Sequence, residues 1–285
     1  MGCAHRRWGR RAFLGMLGVG LATTACAPVR TAPAPAGPTA PGAPAAPNGP
    51  GTGPSDYVPG RPPPAPITEP GGAVVLRGGT SASLAARQIA LTVDDGFCAD
   101  CVAGYVAFAR RSGIHLTFSP NGRYAQAWAP HAAALRPLIG AGQVQIMNHT
   151  FNHPTLTRLP AGTIRQELGR NEVWVNRTFE TTTLPYYRPP YGRHNAAVDQ
   201  VAAAEGFNRV VLWDGSYSDS ELITPQFLMG QARKYLSPGV IMLGHANHPT
   251  VLGLFDQILE LIKQRSLTTV TLDELFGTHR PPLPG

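Results

Sequence analysis

From residue 73 onward, short apolar runs alternate with stretches in which apolar residues recur every three to four positions. The runs are QIALTV (88–93), IHLTFS (114–119), VQIMN (144–148), RVVLW (209–213), GVIMLG (239–244) and TTVTL (268–272). Short, nearly continuous apolar segments rich in β-branched residues predict strands covered on both faces. Between them lie ADCVAGYVAFARRSG, AGTIRQELGRNEVWVNRTF, AAVDQVAAAEG and LGLFDQILELIKQRS, each with one apolar face at helical spacing. Buried strands alternating with amphipathic helices predict parallel βα units, hence an α/β fold, most plausibly a distorted (β/α) barrel. In such folds, functional side chains collect at the carboxyl ends of the strands.

The first 72 residues read differently. Residues 28–70 hold 15 of the 29 prolines, with Ala, Gly and Thr and almost no large apolar residue. Such a segment cannot bury enough surface to offset its ordering entropy, so residues 26–72 are expected to form an extended, disordered tether. Before it, a basic start leads into the apolar stretch FLGMLGVGLATTA, too short to span a membrane. That order is the layout of an export signal over residues 1–25. GRRAFLG resembles a twin-arginine export signal, and Cys26 after Thr23-Thr24-Ala25 resembles the lipidated cysteine of bacterial lipoproteins. The expected location is therefore the cell envelope, with a lipid anchor on the outer face of the cytoplasmic membrane, and the remaining domain is expected to run from 73 to 285.

Composition changes this picture little. The formal charge of +7 suggests nucleic acid until residues 1–25 are set aside. They hold Arg6, Arg7, Arg10 and Arg11 and no acid, and without them the balance is 20 basic against 17 acidic residues. No basic patch interleaved with aromatics remains, which excludes the nucleic-acid reading. Of the four cysteines, Cys98 and Cys101 are the pair left in the body of the chain, and in an exported protein that spacing favours a disulfide over a zinc site or a reactive dithiol.

The chemistry sits just past the predicted strands. Asp94 and Asp95 follow the first run, His149 and His153 the third, Asp214 and Asp219 the RVVLW run, and His245 ends GVIML, with RPPYG (188–192) before a predicted turn. Histidines four apart place two imidazoles on one side of a helical turn, and a carboxylate from another strand completes a facial metal-binding set with positions left open for water. HTFNH lacks the glutamate of HExxH, so a base must come from elsewhere. Paired aspartates answer that need, one binding the ion and one accepting a proton. Taken singly, DDG reads as a turn, HTFNH as a capped or surface loop and RPPYG as a rigid loop. Their joint placement at strand ends carries the functional reading.

These motifs resemble the polysaccharide deacetylases of the NodB-homology family, carbohydrate esterase family 4. TVDDG stands for the family's TFDDG, HTFNH for H-S/T-x-x-H, RPPYG for R-x-PYG and LGH (243–245) for Leu-x-His, so the resemblance spans about Gln88 to Phe276. The fourth motif departs, since Asp219 matches its Asp but Ser220 replaces the Trp that lines the substrate groove in relatives. Phe97 stands where proline is common. The resemblance implies a divalent ion, zinc in the first instance with Co2+ or another divalent ion as alternatives, held by Asp95, His149 and His153. It implies Asp94 as general base, His245 as general acid, Arg188 orienting Asp94, Asp219 keeping His245 protonated, and the backbone N–H of Tyr191, after Pro190, as oxyanion donor.

The function so implied is removal of N-acetyl groups from an extracellular polysaccharide, peptidoglycan or a chitooligosaccharide-like glycan, by a monomer that meets the membrane only through its anchor. An O-acetyl esterase of the xylan type and a catalytically silent glycan-binding protein are the rival readings. Trp128, Tyr186 and Tyr187 are read either as sugar-stacking rings or as core. Asn247 and His248 are read either as an extension of the site or, in preference, as caps of a helix beginning near Val251.

Overall fold

The computed structural model describes residues 72–278. The expected export signal, Cys26 and the tether up to residue 71 lie outside the described residues. Nine strands occur among the described residues: β1 (Val74–Leu76), β2 (Gln88–Asp95), β3 (Leu116–Pro120), β4 (Val144–Ile146), β5 (Tyr186–Tyr187), β6 (Arg209–Val211), β7 (Gly215–Ser216), β8 (Ile241–His245) and β9 (Thr268–Val270). Each of the six apolar runs contains a strand. The additional β1, β5 and β7 have two or three residues each and lie outside those runs.

All the strand pairings are parallel. They form one sheet in the order β4-β3-β2-β8-β7, with β9 also on β2, and a second in the order β1-β6-β5. β2 is the longest and most enclosed strand, with β8 along one side and β9 and β3 sharing the other. A single bridge between Asn148 and Tyr187 connects the two sheets at the ends of β4 and β5. The result is an α/β fold with parallel sheets, and the hydrogen-bond ladders do not run continuously round to close a barrel.

Register decides what meets at the strand ends. Parallel pairing sets Asp94 opposite Ser119 of β3 and opposite His245 of β8. Two residues 151 positions apart in sequence are thereby neighbours on adjacent strands.

The helices supply the cover. Helix Ala99–Ser112 buries Cys101, Val102, Tyr105, Val106, Phe108 and Ala109, the stripe its spacing predicts, and ends on Gly113 in the left-handed conformation. Phe255 of helix Phe255–Gln264 packs on it, with its ring centroid 4.4 Å from Phe108 and 4.9 Å from Tyr105. Phe118 of β3 is fully buried between Tyr105 and Trp128. Truncating such a ring costs about 3–5 kcal/mol. Cys98 and Cys101 are disulfide-bonded, as their spacing suggested, and Cys98 also caps this helix.

Candidate active site

β2 ends in the two aspartates, and their surroundings differ. Asp94 is buried, and its Oδ1 accepts hydrogen bonds from Arg188 Nη1 at 2.8 Å and from the Ser119 hydroxyl. Burial alone would raise its pKa. The Arg188 guanidinium, with His149, His245 and Ser119, outweighs that and lowers it to about 2, so Asp94 is ionised at neutral pH. The chain then turns sharply, with Asp95 at φ 68° and Gly96 at φ 111°. Trp128 Nε1 donates to the Asp95 carbonyl at 2.8 Å, and a Cβ on Gly96 would lie 2.0 Å from that nitrogen. Only glycine fits there, which explains the G of DDG.

His149 and His153 do not sit on a helical turn, contrary to the expectation. Their loop has Thr150 at φ 66° and His153 at φ 59°, and side chains hold it in place. Asn121 Nδ2 donates to the carbonyls of His149 and Thr150 at 2.6 and 2.9 Å, and Thr150 Oγ1 accepts from the His153 N–H at 3.1 Å. His149 Nδ1 is 2.7 Å from the Arg188 carbonyl. A carbonyl can only accept, so Nδ1 carries a proton and Nε2 is the ring nitrogen turned toward the aspartates.

That Nε2 lies 3.5 Å from Asp95 Oδ1 and 3.6 Å from Asp94 Oδ2, and His153 Nε2 also lies 3.5 Å from Asp95 Oδ1. Asp95 Oδ1 is buried with no hydrogen-bond partner, a costly state for a carboxylate oxygen. Burial, reinforced by the neighbouring His149, lowers the His153 pKa to about 4 against the opposing pull of Asp95 and Asp94. The result is two imidazoles and one carboxylate oxygen without a hydrogen-bond partner, their candidate ligand atoms within 4.8 Å of one another. This donor set fits a divalent cation.

His245 faces this cluster from β8. Its Nδ1 is 2.9 Å from Asp219 Oδ1 and its backbone N–H donates to Asp219 Oδ2 at 3.1 Å. Burial pushes the His245 pKa down, but the Asp219 hydrogen bond and charge, with Asp94 and Asp95, raise it above the ordinary value. Arg188 is fully buried, and all three of its nitrogens donate: to Asp94 and Thr92, and to the carbonyls of Val211 and Leu212. Gly192 of RPPYG and the following Arg193 spend their N–H groups inside the turn, on the carbonyls of Pro189 and Pro190. Tyr191, at φ 61°, uses its N–H in none of those bonds, and its exposed ring lies 4.6 Å from that of His153.

Other expectations are corrected. Asp214 is not at the site: its Oδ1 accepts from the Ile241 N–H at 2.8 Å and ties down the start of β8. Of the two readings of Trp128, Tyr186 and Tyr187, the core one holds, since all three are fully buried and cannot stack on sugar. Asn247 and His248 do not cap a helix: a 3-10 turn, Pro249–Gly253, precedes helix Phe255–Gln264, and His248 makes no capping bond. Asn247 instead donates to Asp95 Oδ2 at 2.7 Å. Asn247 thus takes the less favoured of its two sequence readings, an extension of the site, while Ser119 escaped the sequence reading as a lone polar residue in ordinary surroundings. Parallel pairing with β2 was the one signal that could have marked Ser119. Phe97 is exposed beside His248 and Tyr124, at ring distances of 5.7 and 6.1 Å.

An α/β fold with parallel sheets thus carries, at its strand ends, an Asp/His/His cluster suited to a divalent cation. Residues 82–210 match the family described as polysaccharide deacetylase, and a domain of that kind is supported by this match together with the relatives. The chain is similar to a peptidoglycan-N-acetylglucosamine deacetylase of Listeria monocytogenes, 26% identical over 198 residues, which are 67% of this chain and 39% of that protein. It thus spans well under half the length of that relative. Among solved structures it resembles the Bc1960 peptidoglycan N-acetylglucosamine deacetylase, with a TM-score of 0.63 and 21% identity over 73% of this chain and 94% of the other. It resembles equally BA3943, a CE4 family pseudoenzyme from Bacillus anthracis, with a TM-score of 0.63 and 17% identity over 73% of this chain and 71% of the other. At these identities the likeness shows the fold alone, and the fold does not assign an activity.

Proposed function

We propose that this protein is a metal-dependent deacetylase that removes N-acetyl groups from an extracellular polysaccharide, with peptidoglycan as the leading substrate. The observation that carries this reading is the buried, unpartnered Asp95 Oδ1 between the Nε2 atoms of His149 and His153, with ionised Asp94 beside it. Asp95, His149 and His153 would hold the ion. When bound, a divalent cation supplies Lewis acidity, drawing electron density from an acyl carbonyl and lowering the pKa of adjacent water.

The chain's own groups do the rest. Asp94 takes a proton from the attacking water through Oδ2, since Oδ1 is occupied by Arg188 and Ser119. A carboxylate with a pKa of about 2 is a weak base, so it accepts that proton only from an acidified donor. The N–H of Tyr191, not engaged in its own turn, donates to the oxyanion that develops on the acetyl oxygen. His245, held protonated by Asp219, delivers a proton to the departing amine. The base and the acid come from adjacent strands in register, so a bond lying over β2 and β8 is within reach of both.

The similarity to deacetylases of peptidoglycan and the expected anchor at Cys26 both support a wall polymer, acted on by a monomer at the outer face of the membrane. The test is acetate release by purified, zinc-loaded protein from an N-acetylglucosamine oligomer and from O-acetylated xylan. Release from the amide supports the proposal, release from the ester alone moves the assignment to an esterase, and release from neither with zinc bound favours a silent glycan-binding protein. Fractionation of cells making wild-type or Cys26→Ala protein checks the anchor: the variant is expected to leave the membrane fraction, and its retention there would refute lipidation.

A further inference from the structure

We infer that Asn247 is a positioning residue for the ion site, restricting Asp95 to binding through a single oxygen. This inference rests on the ion site proposed above. Asn247 lies two residues past His245, in the loop after β8, and that loop is joined to the one after β2 by backbone bonds. The Ala246 N–H donates to the Asp94 carbonyl at 3.0 Å, and the Ala246 carbonyl accepts from the Cys98 N–H at 3.3 Å. Between these anchors the Asn247 side chain reaches the Asp95–Gly96 corner. Its Nδ2 donates to Asp95 Oδ2 at 2.7 Å, and its Oδ1 accepts from the Gly96 N–H at 3.3 Å.

The chemistry of the partners fixes which way the amide points. A backbone N–H only donates, so the Gly96 N–H must meet the amide oxygen, and the reverse orientation would set N–H against N–H. Asn247 therefore presents its NH2 group to Oδ2 and cannot serve there as a cation ligand. One Asp95 oxygen is occupied, and the other, Oδ1, is the buried atom without a partner that faces both imidazoles. With the Asp95 carbonyl also held by Trp128, the carboxylate is fixed at its backbone and at one oxygen. Removing the amide frees Oδ2 to swing toward the ion and loosens the orientation of Oδ1. Partners that orient metal ligands in this way are worth about 10- to 100-fold in metal affinity.

The test uses the full-length protein stripped of metal, with zinc affinity measured by competition against a chromophoric chelator and the visible absorption of the Co2+-loaded protein recorded alongside. Asn247→Ala is expected to weaken zinc binding about 10- to 100-fold, with the melting temperature of the metal-free protein kept. The Co2+ bands are expected to weaken as a second carboxylate oxygen raises the coordination number. Asn247→Ser, polar but too short to span both partners, should behave alike and serves if the alanine variant melts early. Zinc affinity and Co2+ spectra matching wild type in the folded variants would overturn the inference. Wild-type protein that binds no zinc would overturn the proposed ion site itself, and the role of Asn247 with it.

Discussion

Asp94 and Asp95 are chemically identical residues separated in role by their contacts. Asp94 faces a guanidinium and a hydroxyl, and Asp95 faces an amide and two imidazoles. Asp94→Asn keeps the shape of the side chain but removes its proton affinity, so turnover is expected to fall about 10²- to 10⁴-fold while zinc content is retained. Zinc stoichiometry and acetate release on the same sample check both halves. The second residue-scale expectation concerns pH. The Asp219 hydrogen bond and charge lead the forces that raise the His245 pKa against burial, so Asp219→Asn lets it fall. His245 works as an acid only below its pKa, and the alkaline limb of the kcat profile should therefore move to lower pH. An unmoved limb would mean that another group sets it. These roles were legible in the sequence because each motif residue is a strong chemical signal at a strand end. Ser119 was not, and Asn247 was weighed chiefly as a cap, because a lone Ser or Asn acquires meaning only from a neighbour that register or a loop brings to it.

Elements deliver these residues through corners that local pattern does not reveal. The helical-turn geometry expected for HTFNH fails because Thr150 and His153 adopt left-handed backbone conformations, enforced by Asn121 and Thr150 hydrogen bonds. Spacing of four was informative about proximity and silent about conformation. Likewise the six long runs produced strands, while β5, two residues long, exists only because β6 and Asn148 pair with it. The corner after β2 is the most demanding. Gly96→Ala would place a methyl carbon against the Trp128 indole at a φ that side chains rarely adopt, at a cost of about 1–3 kcal/mol or more. A lower melting temperature, with zinc affinity reduced because Asp95 shifts, is the expected result of calorimetry and metal titration. Full retention of both would show that the corner can relax.

At the scale of the whole domain, the site makes the metal-free fold sensitive to acid. His153 titrates at about 4 in the folded protein against about 6.5 when unfolded. Between those values the unfolded chain binds the proton first, so stability falls as pH drops from about 6.5 toward 4. Thermal melts of metal-free protein should decline over that window, and His153→Gln should flatten the decline. An equal slope in both proteins would place the acid sensitivity elsewhere.

Arg188 has a further consequence at this scale. It follows β5 in the smaller sheet, donates to carbonyls at the end of β6, and reaches across to Thr92 and Asp94 on β2 of the larger sheet. A guanidinium wholly out of water needs its counter-charge, and stripping one partner from such a pair costs about 3–5 kcal/mol. The carboxylate proposed to handle the proton is thus also a rivet between the two halves of the fold. Inactivation by mutation is therefore structurally cheaper at His245 or His153 than at Asp94, and a sequence drifting toward silence on this scaffold would sooner lose its histidines than the first aspartate.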